Sequence, residues 1–282
     1  PSVRTEGNGG LMDVAIHPGF LENQLVYLTY TKPVEKGWGA PALAVGRLDN
    51  GLLVDTRDIL VTEAYEGNSG LNGRVAFGPD GKLYMSTGGR IGEVAQDPMS
   101  LRGKVLRLED DGGIPVDNPF RNRLNYRQEI FTLGHRNVQG LALDAAGRLW
   151  ATEFGTSKAD ELNLLRPGRN YGWPVVEGRS SKRGFTNPKV TWSPTSTASP
   201  SGLAIQDGAA YVASLRGEVL WRVPLKGTRA GKPKAVDLGE QSRLRTVAAA
   251  PDGRLWLSTS NTDGRGDPGS RDDRMLSLII DD

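Results

Sequence analysis

One short phrase recurs along this chain and limits what it can fold into. It consists of an apolar strand, a tight turn and a second strand with an aromatic near its start. The phrase is clearest in Phe77-Gly78-Pro79-Asp80-Gly81-Lys82-Leu83-Tyr84 and its near copy Ala250-Pro251-Asp252-Gly253-Arg254-Leu255-Trp256. The turn has a physical basis: Pro presets φ, Asp bonds its own backbone, and Gly accepts a positive φ. Five segments carry it, at residues 11–30, 75–87, 141–154, 203–215 and 247–260. Their aromatics, Tyr27, Tyr84, Trp150, Tyr211 and Trp256, fall about 45–66 residues apart, the length of one four-stranded propeller blade with insertions.

Each repeat has a second half, at residues 103–108, 160–165, 218–223 and 273–278, whose apolar runs fit strands between two packed faces. No amphipathic helix of three turns stands out, so the expected class is an all-β propeller of four-stranded blades, five of them visible. Insertions at 90–102, 109–128, 167–200 and 262–271 read as loops from their Gly, Pro and Asp content, and such long loops are more often functional than accidental. The aspartates of the last one (Asp263, Asp267, Asp272, Asp273) lack EF-hand spacing and read as a solvated turn.

Composition narrows the function classes. With 37 Gly and 17 Pro, turns are abundant, as many short strands require. A formal charge of +2 and no Lys/Arg run argue against a nucleic-acid footprint. No run reaches the roughly 18–20 apolar residues of a membrane-spanning helix. Zero Cys excludes disulfides and thiolate sites and leaves the compartment open. No signal peptide is visible, and a chain beginning at Pro1 is expected to be processed or trimmed.

The residues best suited to chemistry are arginines at matching places around the repeats. Arg136 precedes the third, Arg216 follows the fourth, and Arg243 and Arg245 precede the fifth, two apart and on one face of an extended segment. Guanidiniums gathered near an axis repel unless an anion lies between them, and their planar forks suit carboxylates or phosphates. The implied ligand is a small polyanion; the plainer alternative is that each Arg pairs with a loop carboxylate. His17 lies in a turn and reads as structural.

The chain also resembles a known family. The runs Gly134-His135-Arg136-Asn137-x-Gln139-Gly140, Asp160-Glu161-Leu162-Asn163-Leu164 and Asn170-Tyr171-Gly172-Trp173-Pro174 are similar to the signature of the glucose/sorbosone dehydrogenases. These are soluble aldose sugar dehydrogenases that use pyrroloquinoline quinone (PQQ). The early Gly9-Gly10-Leu11-Met12-x-Val14-Ala15-Ile16-His17-Pro18-x-Phe20 and the later Leu215-Arg216-Gly217 and Arg243-Leu244-Arg245 agree, in the same order.

The resemblance implies a six-bladed propeller with the cofactor on its axis. It implies quinone contacts from Arg136 and Asn137, a basic residue at the reactive carbonyl from Arg216, and carboxylate binding by Arg243 and Arg245. It adds an early polar contact from Asn8, an aromatic over the cofactor from Trp192, and calcium held by backbone carbonyls of Gly155 and Thr156. The reaction is oxidation of aldoses at C1 to lactones by hydride transfer to the quinone, with electrons passed to an external acceptor. By family the protein is periplasmic or extracellular, with no membrane span.

Two departures accompany the resemblance. The family's catalytic His falls on Gly70, and its carboxylate partner on Gly89. A general base contributes about 10²–10⁴ in rate, so activity is weakened or lost unless Glu153, Glu66 or a water substitutes. Restoring both groups, as Gly70→His with Gly89→Asp, is expected to raise turnover. The second departure is that residues 1–282 read as a single propeller domain of five visible blades where the family has six: either a first blade preceding Pro1 is removed, or five blades close a tighter ring. The alternative functions are a non-catalytic propeller that binds an anionic small molecule or a partner in its central pocket, and a metal-dependent lactonase.

Overall fold

The computed structural model describes residues 1–67, 72–89, 92–239 and 242–280. They fall into two compact units: residues 1–138, 166–176 and 183–186, and residues 139–165, 177–182 and 187–282. The described residues are almost entirely β, with one four-residue helix, α1 (Phe20–Asn23), and one 3₁₀ turn, Thr195–Thr197, among them. Among the described residues no helix is long and apolar enough to cross a membrane.

Five antiparallel sheets form the blades of the propeller class expected from the repeats. The first comprises β1 (Leu11–Ile16), β2 (Leu25–Glu35), β3 (Trp38–Asp49) and β4 (Leu52–Val61), with the two-residue β5 (Tyr65–Glu66) pairing β3. The second is β6 (Val75–Phe77), β7 (Leu83–Ser86), β8 (Lys104–Leu108) and β9 (Ile130–Leu133). The third is β10 (Val138–Leu143), β11 (Leu149–Glu153), β12 (Asp160–Leu164) and β13 (Val190–Trp192). The fourth is β14 (Pro200–Gln206), β15 (Ala209–Ser214) and β16 (Leu220–Lys226), with β17 (Arg229–Ala230) and β18 (Lys234–Val236) both on β16. The fifth is β19 (Leu244–Ala249), β20 (Leu255–Thr259) and β21 (Met275–Leu278).

The turn chemistry is as the sequence demands. In the Pro-Asp-Gly turns, Asp80 and Asp252 Oδ1 accept from the backbone N–H two residues on, both at 3.1 Å. Gly81 and Gly253 take φ of 73° and 83°. In the third blade Asp144 Oδ1 does the same work for Ala146 N–H and Arg148 N–H, and Gly147 has φ 72°.

Strand count varies more than the repeats imply. The segment 167–200, read as a loop, contains β13, whose three residues are too short for a period to show. The fifth blade stops at three strands among the described residues, and this explains Trp256. The corresponding Tyr84 is buried edge-on against Phe131 of the fourth strand β9, at 5.1 Å between ring centroids. With no fourth strand over it, Trp256 stays 42% exposed.

Adjacent blades within each unit pack face to face. In the first unit Tyr27, Leu43 and Val45 of the first blade meet Val75, Leu83 and Met85 of the second. In the second unit Trp150 and Leu162 meet Leu203 and Val212, and Tyr211 and Leu220 meet Leu244 and Leu257. His17 belongs to this framework. Its Nδ1 accepts from Gly19 N–H at 2.9 Å, and its ring lies edge-on to Phe77.

Candidate functional site

In the first unit the residues Gly134–Asn137 leave β9 on a left-handed glycine, Gly134, with φ 81°. The loop is pinned along its backbone. Gly134 N–H donates to Ala95 O at 3.0 Å, His135 N–H to Gly103 O at 3.1 Å, and Gly89 N–H to Arg136 O at 2.9 Å. Its side chains are pinned as well. His135 is fully buried, bonded to Thr132 Oγ1 through Nε2 and stacked on Tyr171, so it is no base for an outside substrate. The Arg136 guanidinium lies 5.4 Å from the centroid of the Trp173 ring, a cation–π placement. Trp173 is fixed in turn by its indole N–H on Gly89 O at 2.9 Å and by Gln96 Nε2 donating to its carbonyl at 2.7 Å.

Asn72 orients Asn137. Its Nδ2 donates to Asn137 Oδ1 at 2.9 Å and to Val138 O at 3.0 Å. Sequence reasoning assigned no role to Asn72 or Trp173. The Asn170-Tyr171-Gly172-Trp173-Pro174 motif contained the second, and the first carries no signal beyond its place ahead of Gly73. Asn8 lies in an exposed turn and makes no hydrogen bond with a described residue.

Gly70 lies outside the described residues. Gly89 is buried, and a Cβ there would come within 2.4 Å of His135 O and 2.6 Å of Gly103 Cα. Both contacts are backbone, so neither yields cheaply. The expectation that Gly89→Asp would restore a catalytic carboxylate is therefore corrected: the position has no room for any side chain.

In the second unit the arginines separate by environment. Arg243 is buried and tied to Asp263 at 2.9 Å and to Ser260 O at 3.2 Å, so for this residue the loop-carboxylate alternative holds. Burial would raise the Asp263 pKa, but the Arg243 hydrogen bond, the Arg265 N–H and the charges of Arg243 and Arg245 together hold it below its usual value. Arg245 is half-buried, and its Nη1 donates to Oε1 of Gln139 in β10 at 3.4 Å. The structure thus joins two motifs that the sequence had only aligned. Arg216 is exposed on the turn after β15 and makes no hydrogen bond or ion pair with a described residue. That turn is held by Leu215 N–H on Ser199 O and Gly217 N–H on Ala198 O.

Trp192 is 5% exposed and packed with Trp150, Leu162 and Val190, its ring centroid 6.4 Å from that of Trp221.

Gly155 and Thr156 begin a loop whose amides all point at carboxylates. Gly155 N–H donates to Asp160 Oδ1 at 2.8 Å. Glu177 Oε1 accepts from Thr156, Ser157, Lys158 and Ala159 N–H, at 2.8 to 3.2 Å. The carbonyls of Gly155 and Thr156 take no part in these bonds, and carbonyl oxygens are suitable donors for a hard cation. Next to this loop, Glu161 is buried, accepts from Gly178 N–H at 2.7 Å and Asn163 Nδ2 at 2.9 Å, and pairs in register with the buried Glu153. Burial first, and the Glu153 charge second, push its pKa up to about 7. Glu66, the other candidate base, is exposed in β5. The aspartates after β20 are used internally: Asp273 accepts from Asn261 N–H and Thr262 Oγ1, and Asp272 from Gly269 N–H, as a turn requires.

The profile of the family described as Glucose / Sorbosone dehydrogenase matches residues 1–269. A solved structure of the PQQ-bound form of aldose sugar dehydrogenase from Streptomyces coelicolor is 42% identical. It covers 98% of this chain and 81% of its own, with a TM-score of 0.90. Aldose sugar dehydrogenase YliI of Escherichia coli is 29% identical over 94% of this chain and 78% of its own length. Quinoprotein glucose dehydrogenase B of Acinetobacter calcoaceticus is 34% identical over a shorter stretch, 64% of this chain and 43% of its own.

Proposed function

Since the chain belongs to the glucose/sorbosone dehydrogenase family, we propose that it binds PQQ and calcium and oxidises aldose sugars at C1 to lactones. The observation that carries this reading is the hydrogen bond from Arg245 to Gln139 within the second unit, which puts a cationic fork beside an amide of β10, with the exposed Arg216 in the same unit. Cationic forks are the donor set that a tricarboxylate quinone needs. Similar proteins support it, since one is an aldose sugar dehydrogenase solved in its PQQ-bound form and another is a quinoprotein glucose dehydrogenase.

When bound, the quinone supplies a hydride-accepting centre and calcium a Lewis acid beside it. The chain's own residues hold and polarise. Arg245 takes the carboxylates, while Arg243 is engaged by Asp263. Arg136 and Asn137 present a guanidinium and an amide whose directions Trp173 and Asn72 set. Arg216 contributes positive charge at the reacting carbonyl, and Asn8 an outer polar contact. Carbonyls of Gly155 and Thr156 would hold the calcium, in a loop whose amides Asp160 and Glu177 have already claimed. We assign the protein to the periplasm or the extracellular space, where an external acceptor takes the electrons.

The glycines at both dyad positions, Gly70 and Gly89, favour a second reading, binding without turnover, and the close packing at Gly89 leaves no room for a carboxylate there. One experiment separates the two. The chain is mixed with PQQ and calcium, and dye reduction is followed with glucose and other aldoses alongside quinone binding. Sugar-dependent reduction supports the dehydrogenase, binding alone supports the second reading, and absence of binding rejects both.

A further inference from the structure

Lys104 opens β8, and its side chain is fully buried in the first unit. A lysine is rarely enclosed in this way unless its charge is satisfied. Here backbone satisfies it. Nζ lies 3.0 Å from Val94 O, 3.0 Å from Ala95 O and 2.7 Å from Arg102 O. An ammonium has three N–H donors and a neutral amine only two, so the charged form alone serves all three carbonyls. No carboxylate of a described residue lies within ion-pairing distance of it.

The three carbonyls belong to the segment that lies against the Gly134–Asn137 loop. Ala95 O, bonded by Lys104, also accepts Gly134 N–H. Gly103, the residue before Lys104, accepts His135 N–H on its carbonyl and gives its own N–H to Gly88 O. The layers are in close contact: a Cβ on Gly103 would come within 2.6 Å of Ala95 Cβ and 2.7 Å of His135 O. The ammonium joins three carbonyls of the segment packed on the loop, so the alignment of the two segments depends on it.

We propose that Lys104 is a positioning residue of the ligand-binding loop: it acts through Ala95 and Gly134 on Arg136 and Asn137 without touching the ligand. What those two residues hold rests on the function proposed above; the link from Lys104 to the loop stands apart from it. Burial pushes the Lys104 pKa down to about 7, the charges of Asp97 and Glu63 opposing and that of Arg102 adding to the fall. Tyr65 and His135 are further titratable side chains on the segments packed here: the Tyr65 hydroxyl donates to Gly88 O with Arg102 over its ring, and the His135 ring is turned to Thr132 and Tyr171.

The test is Lys104→Met, which keeps the stem and removes the donors, read by amide hydrogen exchange in the absence of any ligand. Exchange at Gly134 and His135 is expected to quicken about tenfold or more, the loss of one buried hydrogen-bond network, while amides of β2 and β3 keep their protection. Quinone affinity is expected to weaken by about tenfold in the same variant. Unchanged exchange at Gly134 and His135 overturns the proposal. If the loop loosens but the unmodified protein binds no quinone, the positioning role stands and the quinone reading falls. Should the variant not fold, protection factors of the unmodified protein are compared at about pH 6 and about pH 9, either side of the Lys104 titration. A selective fall at Gly134 and His135 at the higher pH supports the proposal, and equal protection rejects it.

Discussion

At the level of single residues, the sequence identified most of the polar groups but not what each one faces. Arg243 and Arg245 stand two apart and look equivalent, yet one is committed to Asp263 and the other reaches Gln139. Arg245→Ala is therefore expected to weaken quinone binding by about tenfold to a hundredfold, the worth of a charge-assisted hydrogen bond, as measured by titration. Gly89 was legible only as a missing carboxylate. That it is a packing glycine depends on His135 O, which lies 46 residues away in sequence and close in space. Gly89→Ala is expected to cost about 1–3 kcal/mol or more, seen as a lower midpoint in urea. Glu161 adds a pH dependence. Its folded pKa of about 7 lies above the ordinary glutamate value, so between the two the folded chain holds a proton that the unfolded chain has released. Stability from this group is present at low pH and is lost as pH rises through about 7. The fall is on the order of 2–3 kcal/mol, and Glu161→Gln should flatten that part of the profile of stability against pH.

At the level of elements, the hairpins were readable because turn chemistry is local. The Asp80 and Asp252 side chains bond within two residues of themselves, and Gly81 and Gly253 take the positive φ that the turn needs. β13 was not readable, since three residues carry no period and its partner Leu162 is 28 positions earlier. The loop at 155–159 shows the same limit. Its sequence gives small and polar residues, whereas its shape is set by Glu177, about 20 residues on. Glu177→Ala leaves four amides without their acceptor. Groups that orient a metal's ligands typically contribute about tenfold to a hundredfold in affinity, so calcium binding should weaken by that factor in a calorimetric titration. An unchanged calcium affinity would remove Gly155 and Thr156 from the metal site.

At the level of the molecule, the repeat supplied the class and the arginines supplied the chemistry. The five blades come from five copies of one phrase. Trp256, left uncovered where the fifth blade stops at three strands, marks where the copies stop being equivalent. The burial of Trp192 among Trp150, Leu162 and Val190 was not legible in the sequence, since an aromatic beside a strand end serves a core as readily as a ligand. The net charge of +2 gives no sign of the arginines at 136, 216, 243 and 245. A ligand that binds only the folded chain also stabilises it, by about 2.7 kcal/mol at a hundred times its dissociation constant. The most direct test is to titrate PQQ, with calcium present, into the chain and into Arg136→Ala and Arg245→Ala, following the quinone absorbance and the melting temperature together. Saturable binding with a rise in melting temperature, weakened in both variants, is the predicted result. No binding, or equal binding in all three proteins, would contradict it.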